Sequence, residues 1–234
     1  MRIALVADLH GNIPATEALE KDLKEQNINQ IFCLGDLVGK GPDSDYTFDW
    51  VLANCNLIVG GNWDYAIADR LFPKDTTYAE QLGQKRLDIL KTLPVEMEYT
   101  LSGRRIRLFH GRPIMHRLLF LQDNKNDFIP FFVDKNNEPF NMLCYADCHR
   151  QGLRTFDMGM LLNCGSVGNG LGVPYCSYAI IEGEETNDEA PINISFRQLP
   201  YDRQRALENA KAKPYFNFIN AYMKEIITGK YSRK

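Results

Sequence analysis

The sequence lacks any long apolar run, and this excludes a membrane-spanning helix from its interpretation. Such a helix needs about 20 consecutive apolar residues, and the 234 residues contain no segment of that kind. The first residues also do not resemble a signal peptide, because Met1-Arg2 is followed by only five apolar residues and then by Asp8. We therefore expect a cytoplasmic protein without a membrane partner.

Cysteine is present, but it does not form the spacing of a zinc ribbon. The six cysteines include no Cys-x-x-Cys pair. Without a secretion signal, we expect reduced thiols rather than disulfides. The chain also lacks a glycine-rich dinucleotide-binding turn, since residues 8–13 do not read Gly-x-Gly-x-x-Gly. The glycine-rich segment 165–172 has no Lys-Ser/Thr of a P-loop, so we interpret it as a tight loop at the active site.

The sequence has no marked excess of either charge. Lysine and arginine number 27 against 30 aspartates and glutamates, which disfavours an extended nucleic-acid surface. Charged residues make up 24% and hydrophobic residues 44%, and these values are ordinary for a globular protein. The length predicts one domain spanning residues 1–234, with enough burial to fold without a metal or disulfide.

Short apolar segments alternate with helical patterns at the start of the chain. Strands are predicted at residues 3–7, 30–34 and 57–59, with helices at 14–26 and 46–53 between them. This order predicts parallel βαβ units. Functional sites in such sheets lie beyond the carboxyl ends of the strands, so the polar residues found there should converge.

Later segments predict a second set of strands and more helices. Residues 112–140 are irregular and rich in phenylalanine, which indicates an insertion or lid. We expect its phenylalanines to serve lid packing or a subunit interface rather than a base-binding platform, so a homo-oligomer is considered. The other predicted elements are a helix at 78–92, a hairpin at 95–110, strands at 142–145, 175–182 and 192–199, a hairpin turn at 157–159, and a helix at 203–224 broken near Pro214.

Polar clusters follow the predicted strands in a fixed order. They are Asp8-Leu9-His10-Gly11-Asn12, Gly35-Asp36-Leu37-Val38-Gly39, Gly61-Asn62-Trp63-Asp64, His110-Gly111 and Cys148-His149. Carboxylate, imidazole and amide groups that converge in this way are typical of a metal centre. The ordered set resembles the calcineurin-like metallophosphoesterases. Residues 163–168 and 177–179 resemble segments of small bacterial members described as diadenosine-tetraphosphatase-like or phosphodiesterase-like.

The resemblance covers most of residues 1–200 and implies an α/β fold. The expected architecture is a layered α/β/β/α sandwich with two mixed β-sheets flanked by helices. The implied activity is hydrolysis of phosphodiester or phosphoanhydride bonds, in which two dications lower the pKa of a shared water. The implied substrate is a small phosphorylated molecule, with diadenosine polyphosphates as the leading candidate. The alternative is a catalytically impaired regulatory protein that binds metal and nucleotide.

The resemblance also implies the metal ligands. Mixed imidazole and oxygen donors favour manganese or iron, and zinc remains open. The implied ligands are Asp8, His10 and His149 for one ion, Asn62, His110 and Asp147 for the other, and Asp36 for both.

Asp147 departs from the family pattern, which usually has a histidine there. A carboxylate can still bind metal, so we predict that the second ion is retained. The added negative charge should favour manganese or iron and weaken the attraction for phosphate. The alternative is that Asp147 is a solvated loop residue and the second site is weak.

Trp63 is the second departure, because it replaces a histidine thought to protonate the leaving group. An indole has no useful acid–base pKa, and loss of a general acid costs roughly 10²–10⁴-fold in rate. A good leaving group, such as a phosphoanhydride, needs less protonation. Trp63 either stacks on a nucleobase, worth about 1–3 kcal/mol, or packs beneath the site as a structural residue.

Further residues complete the predicted site. Arg112 and Arg150 flank metal ligands, and each is either a bidentate phosphate-binding group or an ordinary surface arginine. His116 is either a lid-surface residue or a replacement acid. The predicted catalytic residues are Asp36, Asn62, Asp64 and Arg112, and the predicted substrate-binding residues are Asn12, Trp63, Arg112 and Arg150.

Overall fold

The structure, a computed structural model that describes residues 1–71 and 76–232, contains two five-stranded β-sheets. In the first sheet, three parallel strands adjoin two antiparallel ones. Its order is β10 (Asn193–Leu199), β9 (Cys176–Glu182), β1 (Arg2–Val6), β2 (Gln30–Cys33) and β3 (Leu57–Ile58). The continuous apolar run of β1 follows from its central position, where both faces are covered.

The second sheet is also mixed. Two parallel pairings form its centre, and an antiparallel strand lies at each edge. Its order is β4 (Glu96–Leu101), β5 (Arg104–Phe109), β6 (Met142–Tyr145), β8 (Gly159–Asn163) and β7 (Gly152–Phe156).

Six helices of the described residues pack on the outer face of the first sheet. They are α1 (Ile13–Glu25), α2 (Ser44–Asn54), α3 (Asn62–Ala68), α4 (Thr77–Thr92), α5 (Arg203–Ala212) and α6 (Ile219–Thr228). Ala4 and Val6 of β1 face these helices, whereas Ile3 and Leu5 face the second sheet. This two-residue alternation divides the apolar side chains of β1 between two cores. Among the described helices, none combines the length and the hydropathy needed to cross a membrane.

Segment 112–140 covers the outer face of the second sheet. It contains two 3₁₀ turns, Lys125–Asp127 and Ile129–Phe132. Its buried phenylalanines pack against residues of the sheet such as Tyr145. The layers are therefore helices, sheet, sheet and this segment, and the predicted fold class is confirmed, with short 3₁₀ turns forming the fourth layer. The order β4–β5 with a Ser102-Gly103 turn also matches the predicted hairpin.

Helix α3 was not predicted from the sequence. It has seven residues and begins with the polar site residue Asn62, so it lacks a clear apolar period. The carboxylate of Asp64 accepts the backbone N–H of Gly61 and stabilises its first turn. The predicted break near Pro214 is present, since α5 ends at Ala212 and α6 begins at Ile219.

Candidate metal centre

The loops that follow four central strands bring their polar side chains together. Asp8 and His10 follow β1, Asp36 follows β2, His110 follows β5, and His149 follows β6. All five side chains are buried. Their donor atoms form two groups, each with members within 4.8 Å of one another: Asp8 with His10 and His149, and Asp8 with Asp36 and His110. The predicted convergence at this edge of the sheets is present.

Each of the three buried histidines is oriented by a backbone carbonyl. The Nδ1 atoms of His10, His110 and His149 lie 3.1, 2.6 and 2.6 Å from the carbonyl oxygens of Val38, Leu34 and Asn169. A carbonyl only accepts, so Nδ1 carries the proton and donates. In a neutral ring, the lone pair then lies on Nε2, which faces the cluster. This arrangement is the usual one for histidines that bind metal.

The donor atoms are spaced as ligands of one ion would be. Nε2 of His10 lies 3.3 Å from Nε2 of His149, and Oδ1 of Asp8 lies 3.2 Å from Nε2 of His149. Nε2 of His110 lies 3.3 Å from Oδ2 of Asp36. Ligands held about 2.1 Å from a tetrahedral or octahedral ion are roughly 3.0–3.4 Å apart. Two facing Nε2 lone pairs repel each other, so a cation between them would relieve the contact.

Several buried atoms of the cluster have no hydrogen-bond partner within residues 1–71 and 76–232. They are both carboxylate oxygens of Asp8, Oδ1 of Asn62 and Nε2 of His110. Buried polar atoms are almost always hydrogen-bonded, and an unsatisfied carboxylate is costly. The donor set therefore fits divalent cations, which carboxylate, amide and imidazole groups bind together.

The backbone at the site adopts a conformation that non-glycine residues seldom take. The φ angles of Asp8, His10 and Asp36 are 55°, 48° and 54°, and those of Asp147 and His149 are 67° and 58°. Such strain persists where the surrounding structure enforces it, and it is concentrated at functional sites. Asp147 shares this conformation with four of the other predicted ligands.

Glycine is required at position 61 by the approach of Asp36. A Cβ atom on Gly61 would lie 2.2 Å from Oδ1 of Asp36, well inside contact distance. Only a residue without a side chain lets the two loops lie this close together. The Gly-Asn pair after β3 thus serves the position of the Asp36 carboxylate.

The electrostatics differ between the histidines. Burial lowers the pKa of His110, but the carboxylates of Asp36, Asp8 and Asp147 outweigh burial and raise this pKa to about 10. Burial and then the positive charge of Lys40 lower the pKa of His10 to about 3. The carboxylates therefore favour positive charge beside His110, as a cation site requires.

Asp147 lies at the rim of the cluster, where Arg112 holds it. Its carboxylate accepts hydrogen bonds from Nε and Nη2 of Arg112 at 2.8 and 2.6 Å. Its Oδ1 atom lies 3.9 Å from Nε2 of His110. Asp147 is only 7% exposed, so it is not a solvated loop residue. Its carboxylate faces both the cluster and the guanidinium group.

Asp64 positions the loop that carries Asp36. Its oxygens accept backbone N–H groups of Asp36, Leu37 and Gly61 at 2.8, 2.9 and 2.8 Å. Four such bonds, counting that from Val38, direct the carboxylate toward the backbone rather than toward the cluster. The structure therefore gives Asp64 a positioning role.

Trp63 packs beneath the cluster. It is 8% exposed, and its ring lies edge-on to His10, Tyr78 and Phe218 at centroid distances of 6.1, 6.3 and 5.5 Å. Its backbone N–H donates to Oδ1 of Asp36 at 2.8 Å. These contacts favour the packing interpretation over stacking on a nucleobase.

The remaining predicted residues have partners within the protein or lie at the surface. Asn12 caps α1, because its Oδ1 accepts the N–H of Ala15 at 3.2 Å, while its Nδ2 donates to the carbonyl of Gly168 at 2.7 Å. Exposed Arg150 lies over the ring of Phe120, 5.0 Å from its centroid. His116 is exposed on segment 112–140.

Sequence reasoning missed two residues that contact His149. Nζ of Lys40 lies 2.8 Å from Nε2 of His149, and the backbone carbonyl of Asn169 accepts the N–H of the same ring. Lys40 stands between Gly39 and Gly41, four residues after Asp36, and this position in the second polar loop is the only sequence signal for it. Asn169 acts through its backbone, so its residue type gives no signal.

Comparisons with known proteins agree with this geometry. Residues 1–186 match the model of the calcineurin-like phosphoesterase superfamily domain. The chain is 29% identical to the uncharacterized protein MJ0912 of Methanocaldococcus jannaschii in an alignment 231 positions long, gaps included, and the match covers 88% of this chain and 90% of that protein.

Two solved structures share the fold over nearly the whole chain. The metallophosphoesterase from Sphaerobacter thermophilus gives a TM-score of 0.75 at 20% identity and covers 98% of this chain and 100% of its own. The hypothetical protein PH1004 from Pyrococcus horikoshii gives 0.77 at 20% identity and covers 99% of each chain. The family model, the shared fold and the paired donor groups lead to one assignment: the chain belongs to the calcineurin-like phosphoesterase superfamily.

Proposed function

We propose that this protein hydrolyses phosphodiester or phosphoanhydride bonds with two divalent metal ions. The proposal is carried by buried oxygen and nitrogen atoms that could bind metal and that have no hydrogen-bond partner in the described chain. They belong to Asp8, Asn62 and His110. They lie among histidines whose Nε2 atoms already face inward. A structural cluster would satisfy these atoms within the protein.

The proposed ligands divide between the two ions. When bound, the ions supply a nucleophile at neutral pH and neutralise charge on the phosphoryl group. The mixed nitrogen and oxygen donors favour manganese or iron, with zinc as a third choice. Asp8, His10 and His149 would hold one ion, Asn62, His110 and Asp147 the other, and Asp36 both.

The chain's own residues set the geometry around this centre. Asp64 holds the loop of Asp36 through backbone N–H groups. Arg112 is partly exposed beside Asp147, where its guanidinium group would also bind a phosphate oxygen. Trp63 supplies no proton, so a substrate with a good leaving group is favoured. A dinucleoside polyphosphate has such a group, because cleavage of its anhydride bond releases a nucleotide whose leaving phosphate oxygen needs no proton.

The test is hydrolysis after metal removal. Bis-p-nitrophenyl phosphate and diadenosine tetraphosphate are incubated with the stripped protein, and Mn²⁺, Fe²⁺, Zn²⁺ or Mg²⁺ is added back separately. We expect turnover that depends on metal and is fastest with Mn²⁺ or Fe²⁺, and faster cleavage of the anhydride. Absence of turnover with every metal on both substrates would contradict the proposal.

A regulatory protein is the second candidate, and the Arg112–Asp147 pair favours it. Two hydrogen bonds from Arg112 hold the carboxylate that would serve the second ion. If the pair persisted, one ion would be bound and no pair of ions would form. Metal binding with a stoichiometry of one and without turnover would support this candidate.

A further inference from the structure

Lys40 is a cation inside the metal cluster and is not one of the predicted ligands. Its side chain is 5% exposed, and its Nζ atom lies 2.8 Å from Nε2 of His149. A buried ammonium group is costly unless it has a hydrogen-bonding partner. No family motif identified in the sequence includes this residue, so its position calls for an explanation of its own.

The backbone of Lys40 is held in place so that the side chain points inward. Its carbonyl accepts a hydrogen bond from the hydroxyl of Tyr78 at 3.0 Å. Its φ angle is 59°, in the same left-handed region as the predicted ligands. Its Nζ atom also lies 6.0 Å from the centroid of the Trp63 ring. The loop therefore places the ammonium group of Lys40 within the cluster, at a cost in backbone strain.

The contact with His149 identifies a competition. Nδ1 of His149 donates to the carbonyl of Asn169, so Nε2 is the atom that accepts from Lys40. The same Nε2 is a predicted metal-binding atom, and it cannot serve an ammonium group and a metal ion at once. A lysine has a flexible four-carbon stem, so its head group can move while its backbone stays fixed.

Once displaced from His149, the ammonium group would remain close to the cluster. A phosphoryl oxygen of the substrate is the anion that the proposed function brings to this site, and a lysine there would form a short charge-assisted hydrogen bond with it. The charge of the site points in the same direction. Asp147 adds a carboxylate where the family usually has an imidazole, and a nearby cation restores the attraction for phosphate.

We propose that Lys40 binds a phosphoryl oxygen of the substrate, and that its ammonium group competes with metal for His149 until the metal ion is bound. The inference rests on the proposed function. It extends that function by adding a phosphate-binding residue from the second polar loop, which lies between His10 and His110 in sequence, whereas Arg112 follows His110.

The experiment compares Lys40→Met with Lys40→Arg and with the matched control Lys21→Met. Methionine removes the charge while keeping an unbranched stem, and Lys21 is exposed on α1. Mn²⁺ affinity is measured by calorimetry on the metal-free proteins. Inorganic phosphate is then titrated into each Mn²⁺-loaded protein, and its inhibition of bis-p-nitrophenyl phosphate hydrolysis is measured in parallel.

Lys40→Met should bind Mn²⁺ about threefold or more tightly than the wild type, because the competing cation is gone. It should bind phosphate about tenfold or more weakly, because a charged hydrogen bond is lost. Lys40→Arg should retain most of the phosphate affinity, and Lys21→Met should change neither quantity. If Lys40→Met does not fold, as judged by circular dichroism, Lys40→Gln undergoes the same measurements.

Two outcomes would overturn the proposal. One is unchanged phosphate affinity in Lys40→Met, even if Mn²⁺ binds more tightly. The other is failure of phosphate to bind the Mn²⁺-loaded wild type. Failure of the proposed function is a separate result, because phosphate binding is measured by calorimetry whether or not the wild type hydrolyses a substrate.

Discussion

Asp22, near the carboxyl end of helix α1, and Asp8, in the loop that precedes this helix, are both buried acidic residues, but their oxygens differ in hydrogen bonding. At the carboxyl end, Oδ2 of Asp22 accepts hydrogen bonds from Tyr178 and Arg197 at 2.6 and 3.0 Å, and its Oδ1 accepts another from Arg197 at 2.6 Å. Just before the amino end, neither oxygen of Asp8 has a hydrogen-bond partner in the described chain. Burial alone therefore does not mark a functional site. A buried carboxylate that the protein leaves unsatisfied does, because it needs a cation.

The largest expected difference comes from removing one carboxylate charge from the metal cluster and, separately, the charge of Asp22. Asp36→Asn should lower kcat/KM for bis-p-nitrophenyl phosphate by roughly 10³-fold or more, because both proposed ions lose a ligand. Mn²⁺ stoichiometry should fall with it. Asp22→Asn is the matched control, and it should retain nearly full activity per folded molecule. An Asp36→Asn protein with a tenth of the wild-type activity would contradict the two-ion centre.

Metal should stabilise only the protein whose metal-binding carboxylates are intact. Mn²⁺ at 100 times its dissociation constant should stabilise the wild type by about 2.7 kcal/mol, since it binds the folded state. Thermal unfolding with and without Mn²⁺ measures the increment. Asp22→Asn should melt lower than the wild type and keep the full increment, whereas Asp36→Asn should lose most of it. Equal increments in the two variants would mean that the unsatisfied cluster is not the metal site.

The same contrast explains which parts of the fold and of the site the sequence predicts. Residues 3–7 form a continuous apolar run, so the sequence alone predicts their burial and locates the polar cluster that follows them. Asp8, His10 and His149 are recognisable because ligand types recur directly after strands. The convergence of Asp8 and His10 with Asp36 then follows from the parallel order of β1 and β2, whereas His149 follows β6 of the second sheet and its approach depends on how the two sheets pack.

The pairings between side chains cannot be predicted from the sequence in the same way. Arg112 and Asp147 lie 35 residues apart, and no spacing rule connects them. Lys40 lies 109 residues from His149, and a lysine between glycines resembles any surface loop. Helix α3 was not predicted because it has only seven residues and begins with the site residue Asn62, so its sequence lacks a clear apolar period. Sequence periodicity reports burial, whereas these contacts depend on how two loops meet.

The Asp22 group should contribute to stability rather than to activity, and its effect should depend on pH. Burial raises the pKa of Asp22, but hydrogen bonds from Arg197 and Tyr178 outweigh burial and hold it below the ordinary value of 3.8. Its carboxylate therefore stabilises the folded protein at neutral pH, and that contribution is lost as the pH falls below this ordinary value toward the folded-state pKa.

Urea unfolding of Asp22→Asn tests this contribution. The variant should be less stable than the wild type by about 1–3 kcal/mol at pH 7, because an amide replaces a charged acceptor. The difference should shrink below about pH 4, where the unfolded wild type takes up a proton. Asp49→Asn, at an exposed pair with Arg86, is the control and should cost less than about 1 kcal/mol. A difference that is constant down to pH 2 would contradict the assignment.

Substitution of Trp63 should change the preference between substrates only slightly, because Trp63 belongs to the packed side of the comparison although it adjoins the cluster. Its ring contacts His10, Tyr78 and Phe218, so Trp63→Phe should lower stability and leave the ratio of diadenosine tetraphosphate to bis-p-nitrophenyl phosphate hydrolysis within about threefold of the wild type. A stacking role predicts instead a loss of about 1–3 kcal/mol that affects the nucleotide alone. Trp63→His tests a third possibility, since an added imidazole would speed hydrolysis of a dialkyl phosphodiester, whose alkoxide leaving group needs a proton, more than hydrolysis of bis-p-nitrophenyl phosphate or the anhydride, whose leaving groups do not. A tenfold fall in the ratio for Trp63→Phe would place the indole against the substrate and move Trp63 from the packed group to the binding one.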